Sequence, residues 1–166
     1  MTRRERGSAG HDEARRSSLK GLLGLASAAA ALVVASGARA ADKPKEIGQP
    51  PKADKQHFMQ RALEMRRIAQ ERGDQAYGAA IVKDGRIVGE RPSAVIGNQD
   101  PTAHAEMEAI RDVARRLGTR DLSGCEMYGS SKACPMCETA AYWAGISKLY
   151  YGPSITDAGP PRYPSC

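Results

Sequence analysis

The segments Asp100-Pro-Thr-Ala-His-Ala-Glu106 and Cys134-Pro-Met-Cys137 decide the fold of this chain. One imidazole and two thiolates, from His104, Cys134 and Cys137, are ligand types that zinc prefers. Three protein ligands leave the fourth position of a tetrahedral zinc open, as in catalytic sites, whereas four ligands close a structural site. The sequence therefore predicts a catalytic Zn²⁺ site, with Glu106 as a carboxylate beside the metal.

Both segments are typical of helix starts. Asp100-Pro101 predicts an N-cap followed by proline in the first helical position. Pro135 predicts a second helix that begins beside Cys134. Because a helix N-terminus lowers the pKa of a nearby thiol, we expect two helix starts to meet at one metal. The first helix is further indicated by apolar residues at helical spacing, namely Ala105, Ala109, Ile110, Val113 and Leu117.

Each motif has another interpretation when taken alone. A Cys-x-x-Cys pair can be a redox pair, above all in an exported protein. A single His-x-Glu near a helix start is usually solvated or capping. Cys125 is a candidate fourth ligand, which would make the zinc structural. The joint occurrence of both motifs favours the catalytic zinc site.

The remaining pattern indicates an α/β fold, because helices and strands alternate along the chain. Residues 54–72 have an amphipathic helical pattern, with apolar residues at Phe58, Ala62 and Leu63. The turn Asp84-Gly85 predicts a hairpin between neighbouring strands. We expect strands over 77–83, 86–95, 126–129 and 148–151.

Residues 58–152 resemble the cytidine deaminase-like superfamily, and are most similar to its guanine deaminase and tRNA adenosine deaminase branch. The spacing His-x-Glu followed by Pro-Cys-x-x-Cys is the signature of zinc-dependent base deaminases. The resemblance implies a three-layer α/β/α fold with a mixed sheet. It also implies a shortened C-terminal part, since family members usually continue with a further helix and strand. The matching stretches are 77–89, 100–111, 134–137 and 141–152.

By this resemblance, His104, Cys134 and Cys137 bind zinc and Glu106 shuttles protons. The implied reaction is hydrolytic deamination of a nucleobase or nucleoside, with a guanine-like purine base giving its oxo product and ammonia. Ser93 stands where the branch usually has an asparagine that contacts the base, and is the candidate substrate-binding residue. Alternatives are a deaminase of cytosine, cytidine or adenosine, including adenosine in tRNA, and a zinc-stabilised binding protein without turnover.

Residues 1–40 have the features of a secretory signal peptide. A basic start precedes an apolar run, and Ala38-Arg39-Ala40 is typical of a cleavage site. Arg15 and Arg16 resemble the pair of a twin-arginine signal. We therefore expect export to the periplasm or the extracellular space, with no stable membrane span after cleavage. The alternative is an uncleaved membrane anchor, for which the apolar run is short.

The basic charge of the chain belongs mostly to this leader. The whole chain has a formal net charge of +6. Residues 1–40 contain seven Lys and Arg against three Asp and Glu, and the remaining residues contain eighteen against sixteen. Nucleic-acid binding needs a basic surface on the folded domain, so a nucleic-acid partner is not favoured. The expected partner is a small-molecule base or nucleoside.

The predicted organisation continues with a linker at 41–53, a deaminase domain at 54–152 and an irregular tail at 153–166. Prolines at 160, 161 and 164 discourage regular structure in this tail. The strand at 148–151 would then be an open edge, so we expect a homodimer. Trp143 is expected in the core, with a stacking surface for the base as the alternative. Cys125 is predicted to be buried at a strand start and Cys166 to be a free thiol, with a disulfide between them as the alternative.

Overall fold

The computed structural model describes residues 46–163. The predicted signal peptide and Cys166, with its alternative disulfide, lie outside these residues. The helices over this range are α1 (Lys55–Glu71), α2 (Ala105–Leu117) and α3 (Pro135–Trp143). The strands are β1 (Gly78–Lys83), β2 (Arg86–Pro92), β3 (Glu126–Gly129), β4 (Lys148–Tyr151) and β5 (Thr156–Gly159).

The five strands form one mixed sheet in the order β2-β1-β3-β4-β5. β1 is antiparallel to both β2 and β3, and β5 is antiparallel to β4. β3 and β4 are parallel, which requires a crossover connection, and α3 supplies it. The predicted hairpin forms, with Asp84 and Gly85 both at positive φ in its turn. The predicted mixed α/β fold is confirmed.

Alternate residues of the sheet bury themselves against opposite layers, as the period of a strand requires. Ala79 and Ile81 of β1 belong to the core cluster that includes Ala105 and Ala109 of α2. Ala80 and Val82 pack instead in a second cluster with residues of α1, such as Phe58. The sheet therefore separates α1 from α2 and α3, and the three-layer arrangement is confirmed.

The predicted start of α2 is wrong by four residues. Asp100 is not the N-cap: its Oδ1 accepts the backbone N–H and the hydroxyl of Thr102, at 2.8 and 2.7 Å. This short-range bonding closes a turn instead of a helix, which aspartate and proline favour equally well. The helix begins at Ala105, with His104 as the N-cap. The metal-ligand candidate therefore lies at the helix boundary itself.

The tail was predicted to be irregular, and this is wrong for residues 156–159. After β4 the chain turns through Gly152, where the backbone has φ of +72°, and returns as β5 along β4. The prolines at 160 and 161 follow the strand and therefore do not interrupt it. The edge of β4 is paired, and β5 is the outer strand on that side of the sheet.

Two further side chains differ in how well they were predicted. Cys125, just before β3, is fully buried as expected. Trp143 at the end of α3 is 71% exposed, so its predicted place in the core is wrong.

Residues 46–53 of the predicted linker contain no helix or strand, but the side chain of Gln49 is hydrogen-bonded to β2. Its side-chain amide donates to the carbonyl of Ile87 and accepts the N–H of the same residue, both at 2.9 Å.

In the part of the chain that the structure describes, no helix is long and apolar enough to cross a membrane.

Candidate metal centre and active site

The candidate site lies where two helices begin beside the carboxyl end of β3. His104 is the N-cap of α2, and Cys134 is the N-cap of α3 with Pro135 in the first helical position. The loop from β3 leads directly into α3, which brings its first turn against that of α2. The predicted meeting of two helix starts is confirmed.

The three predicted ligands converge on one point. Nδ1 of His104 lies 3.7 Å from Sγ of Cys134 and 3.6 Å from Sγ of Cys137. All three ligand atoms lie within 4.8 Å of one another. Nitrogen and sulfur ligands at zinc distances on two corners of a tetrahedron are about 3.6 Å apart. The arrangement therefore fits one zinc ion with three protein ligands.

The position of Cys125 argues against its predicted alternative role as a fourth ligand. Cys125 is buried in the core and does not join the cluster of His104, Cys134 and Cys137. Among residues 46–163 these three form the only cluster of metal-ligand groups that could hold an ion, so a fourth ligand to close the site is not supplied by that range. Cys134 and Cys137 are not joined by a disulfide, and Nδ1 of His104 lies within 3.7 Å of both sulfurs.

Glu106 lies in the first turn of α2 and is 6% exposed. Its Oε2 is 3.6 Å from Sγ of Cys137. Burial raises the pKa of the Glu106 carboxyl above its ordinary value. The backbone N–H of Glu106 itself, the thiol of Cys137 and the imidazole of His104 each lower this pKa, but together by less than burial raises it. A buried carboxyl with a raised pKa can accept and return a proton near neutral pH, which is what a general base and acid needs.

The surroundings of Cys137 disfavour its thiolate form when no cation is bound. Burial, the Glu106 carboxylate and the neighbouring Cys134 raise the pKa of the Cys137 thiol well above its usual range. A bound dication reverses the balance, because a coordinating thiol is deprotonated outright.

A cavity of about 610 Å³ opens beside the centre. The buried carboxylate of Glu106 lines it, together with Gly129 at the end of β3 and Tyr151 at the end of β4. A Cβ added at Gly129 would lie 2.8 Å from the carbonyl oxygen of Ser131, so a side chain at this position would force the backbone beside the Glu106 carboxylate to shift. The cavity places a small molecule within reach of the proposed proton carrier.

Ser93 is not among the residues that line this cavity. It is 2% exposed, and its hydroxyl donates to Oδ1 of Asp74 at 2.9 Å. Its role in substrate binding stays a prediction, and its observed contact holds a loop in place.

Asp74 itself was not singled out from the sequence. Its carboxylate also accepts the backbone N–H groups of Val95, Ile96 and Gly97, at 3.1, 2.9 and 2.9 Å. Ala94 of the same loop donates its N–H to the carbonyl of Ala103, which directly precedes His104. The sequence gives little indication that Asp74 holds this loop. An aspartate after a glycine is typical of any turn, and its hydrogen-bond partners lie about 20 residues further along the chain.

Residues 52–153 match the family model of the cytidine and deoxycytidylate deaminase zinc-binding region. Guanine deaminase of Bacillus subtilis is 46% identical over 82 residues, which cover 49% of this chain and 53% of that protein. The tRNA-specific adenosine deaminase of Aquifex aeolicus is 41% identical over 97 residues, covering 58% and 64%.

The fold is likewise similar to solved structures. The X-ray structure of guanine deaminase from Bacillus subtilis superposes with a TM-score of 0.58 at 39% identity, over 60% of this chain and 64% of that one. A guanine deaminase from Nitrosomonas europaea gives a TM-score of 0.59 at 25% identity, over 63% and 61%. The chain thus spans between 53% and 64% of the length of the two curated relatives described above.

Proposed function

Because the chain belongs to the family of the cytidine and deoxycytidylate deaminase zinc-binding region, with zinc as its cofactor, we propose that it catalyses hydrolytic deamination of a nucleobase or nucleoside. One observation carries this proposal. The buried carboxylate of Glu106 lies beside the three-ligand centre, 3.6 Å from Cys137, and faces a cavity large enough for a small molecule. A purely structural zinc site has no use for a buried carboxylate in that position.

Glu106 carries the protons of the proposed reaction. When bound, zinc supplies the Lewis acidity that makes water a competent nucleophile near neutral pH. Glu106 takes a proton as the water oxygen adds to the ring carbon that bears the amine. It gives this proton to the ring nitrogen, then takes the second proton from the hydroxyl of the addition product and passes it to the amine, which leaves as ammonia as the C–N bond breaks and the C=O bond forms. The unpaired N–H groups in the first turn of α3 favour negative charge developing beside Cys134.

A guanine-like purine base is the proposed substrate. The similarity to guanine deaminase of Bacillus subtilis, at 46% identity, supports it. Adenosine is a second candidate, supported by the 41% identity to a tRNA-specific adenosine deaminase. The family description also names cytidine and deoxycytidylate. We propose the purine as the substrate, and pyrimidines are assayed alongside it.

Ammonia release from zinc-loaded protein tests the proposal. Guanine, adenine, cytosine and their nucleosides are supplied separately, and both ammonia and the oxo product are quantified. Release from guanine or guanosine supports the purine assignment, and release only from a pyrimidine overturns it. A folded protein with one zinc per chain and no release from any compound indicates the zinc-stabilised binding protein instead.

We also propose that the protein is exported and works as a homodimer. The proposed export is supported by the leader at residues 1–40. The proposed dimer is supported by the exposed aromatic rings of Tyr142, Trp143 and Tyr163, whose centroids are 5.8 to 5.9 Å apart. An aromatic cluster exposed to this extent is typical of an interaction surface. Light scattering on the zinc-loaded protein tests the dimer, and a strictly monomeric active enzyme contradicts it.

A further inference from the structure

Asp74 holds the loop that leads into the metal centre. This β2–α2 loop comprises residues 93–104 and ends at the candidate ligand His104. The carboxylate of Asp74 accepts the hydroxyl of Ser93 and the backbone N–H groups of residues 95–97. Three successive backbone N–H groups directed at one point form a concave anion-binding site. Here the chain supplies the anion itself, as the carboxylate of Asp74.

The backbone of Asp74 is in turn held at the end of α1. Its N–H donates to the carbonyl of Ala69 at 2.9 Å, and Ala69 is fully buried in α1. The carboxylate also accepts the N–H of Gln75 at 2.8 Å, which fixes the side chain relative to its own backbone. Asp74 therefore connects α1, on one face of the sheet, to the loop that enters α2 on the other face.

Hydrogen bonds within the β2–α2 loop connect its held residues to the residue before the metal ligand. The N–H of Ala94 donates to the carbonyl of Ala103 at 3.0 Å. The N–H of Asp100 donates to the carbonyl of Val95 at 3.1 Å, and the N–H of Ala103 donates to the carbonyl of Asp100 at 3.0 Å. Ala103 is also fully buried. Because its N–H and its carbonyl are both bonded within the loop, its backbone follows the loop.

The imidazole of His104 depends on this backbone for its orientation. A histidine that binds a metal usually donates its other ring N–H to a carboxylate, a carbonyl or water. Nδ1 of His104 is directed at the two cysteine sulfurs, and no protein group between residues 46 and 163 hydrogen-bonds to its Nε2. Its side chain makes no capping hydrogen bond to α2 either. The protein therefore positions this imidazole through the backbone that carries it.

We propose that Asp74 is a positioning residue of the metal centre, which holds residues 95–97, thereby fixes Ala103, and so aims His104 at the metal. A loop that is ordered before the metal arrives lowers the entropy cost of bringing the histidine to the two cysteines. Asparagine cannot replace Asp74, because its amide has one acceptor oxygen whereas the carboxylate uses both Oδ1 and Oδ2. Any effect on ammonia release rests on the proposed function.

Zinc affinity of the folded, metal-free protein tests the proposal. Full-length Asp74→Asn is titrated with zinc in competition with a chelator, under conditions where circular dichroism shows the metal-free protein to be folded. We expect zinc to bind about tenfold more weakly than to wild type, at the lower end of the effect of removing the partners of metal ligands. The visible spectrum of the Co²⁺-substituted protein should shift, because a displaced His104 changes the ligand field.

Two further measurements test the intermediate step and the choice of variant. Hydrogen exchange of the Ala94 N–H should be faster in Asp74→Asn, because this N–H bonds to Ala103. If metal-free Asp74→Asn does not fold, Asp74→Glu replaces it, since glutamate keeps two acceptor oxygens but moves them outward by one methylene. Asp74→Glu should weaken zinc binding measurably, though less than tenfold. Wild-type zinc affinity in that variant would overturn the proposal.

Asp121→Asn is the matched control. The carboxylate of Asp121 likewise accepts a backbone N–H and a serine hydroxyl, both from Ser123. It lies in the loop before β3, whereas the metal centre lies at the other end of that strand. This variant should bind zinc as tightly as wild type. Wild-type zinc affinity in Asp74→Asn overturns the proposal, as does an equal loss of affinity in Asp121→Asn.

The proposed function can fail independently of this result. If wild-type protein releases no ammonia from any compound but Asp74→Asn binds zinc more weakly, the deaminase assignment is wrong and the positioning role stands. If wild-type protein releases ammonia and Asp74→Asn equals it in zinc affinity, the positioning role is wrong and the deaminase assignment stands.

Discussion

Sγ of Cys137 lies 3.6 Å from Oε2 of Glu106, although the two residues belong to different helices. The same sulfur lies 3.6 Å from Nδ1 of His104. The proposed proton carrier is therefore packed against a ligand without being one of the three groups that converge on the metal. A substitution of Glu106 can separate proton transfer from metal binding.

We predict that Glu106→Gln lowers the rate of ammonia release at least about 100-fold, because glutamine cannot exchange a proton with the substrate. Zinc should stay at one per chain, since the three ligands are unchanged. Metal analysis and an ammonia assay on the same preparation measure both. Glu108→Gln is the matched control on α2, where Glu108 pairs with Arg111 instead of facing the centre. Activity of the Glu106 variant equal to that of the Glu108 variant would rule out the proposed role.

The cysteine ligands lead to a second prediction. Cys134→Ser and Cys137→Ser should each lose zinc and melt at lower temperature, because metal-binding free energy also stabilises the fold. Cys125→Ala is the control, since Cys125 is buried but lies outside the metal cluster. That variant should keep its zinc. Full zinc occupancy in the double variant of Cys134 and Cys137 would show that the metal binds elsewhere.

Local signals in the sequence predicted the elements that position the site. Pro135 fixed the start of α3, and the Asp84-Gly85 turn fixed the β1–β2 hairpin. The spacing of apolar residues predicted α2, which ends at Leu117. Because the ligands lie at these helix starts, their convergence followed from the motifs and from the resemblance they carry.

The sequence-based predictions failed where a residue suits two local structures equally well, or where contacts between distant parts of the chain determine the structure. Asp100 favours both an N-cap and a side-chain-closed turn, and the turn formed. The short strand β5 has no hydrophobic alternation and exists because β4 offers it unpaired backbone groups. Trp143 lies at the end of α3, where the helical pattern alone does not say whether a large ring faces the core.

Gly78 provides a test of how closely α1 packs on the sheet. A Cβ at this position would lie 2.2 Å from the backbone N of Arg66 and 2.3 Å from the carbonyl of Ala62. We predict that Gly78→Ala lowers the free energy of unfolding by at least about 2 kcal/mol, because rigid helix backbone must move away. Chemical denaturation measures it. Gly48→Ala is the control, since no atom lies within 4 Å of its added Cβ, and equal stability of the two variants would contradict this packing.

Export supplies a fourth prediction. The basic start, the apolar run and Ala38-Arg39-Ala40 predict cleavage after Ala40. Mass spectrometry of the exported protein should therefore find Ala41 at its N-terminus. Arg15→Lys combined with Arg16→Lys should block export if the signal is of the twin-arginine type. Unchanged export of that variant would leave secretion by another route, and an uncleaved product would indicate a membrane anchor.

Asp74 links the stability of the loop before His104 to pH. Burial raises the pKa of the Asp74 carboxyl. The carboxylate also accepts hydrogen bonds from Gly97, Gln75, Ser93 and Ile96, and together these hold the pKa below its ordinary value. A carboxyl whose pKa is lower in the folded state stabilises the fold above its unfolded pKa, and that stabilisation is lost as the pH falls through the folded pKa.

We therefore predict that Asp74→Asn lowers the free energy of unfolding at neutral pH, and that the difference from wild type shrinks as the pH falls below about 4. Urea denaturation at a series of pH values measures this difference. Ser93→Ala should give a smaller loss, because it removes one donor to Asp74 and leaves the carboxylate bonded to the backbone. A difference between wild type and Asp74→Asn that stays constant from neutral to acidic pH would show that the carboxylate charge does not hold the loop.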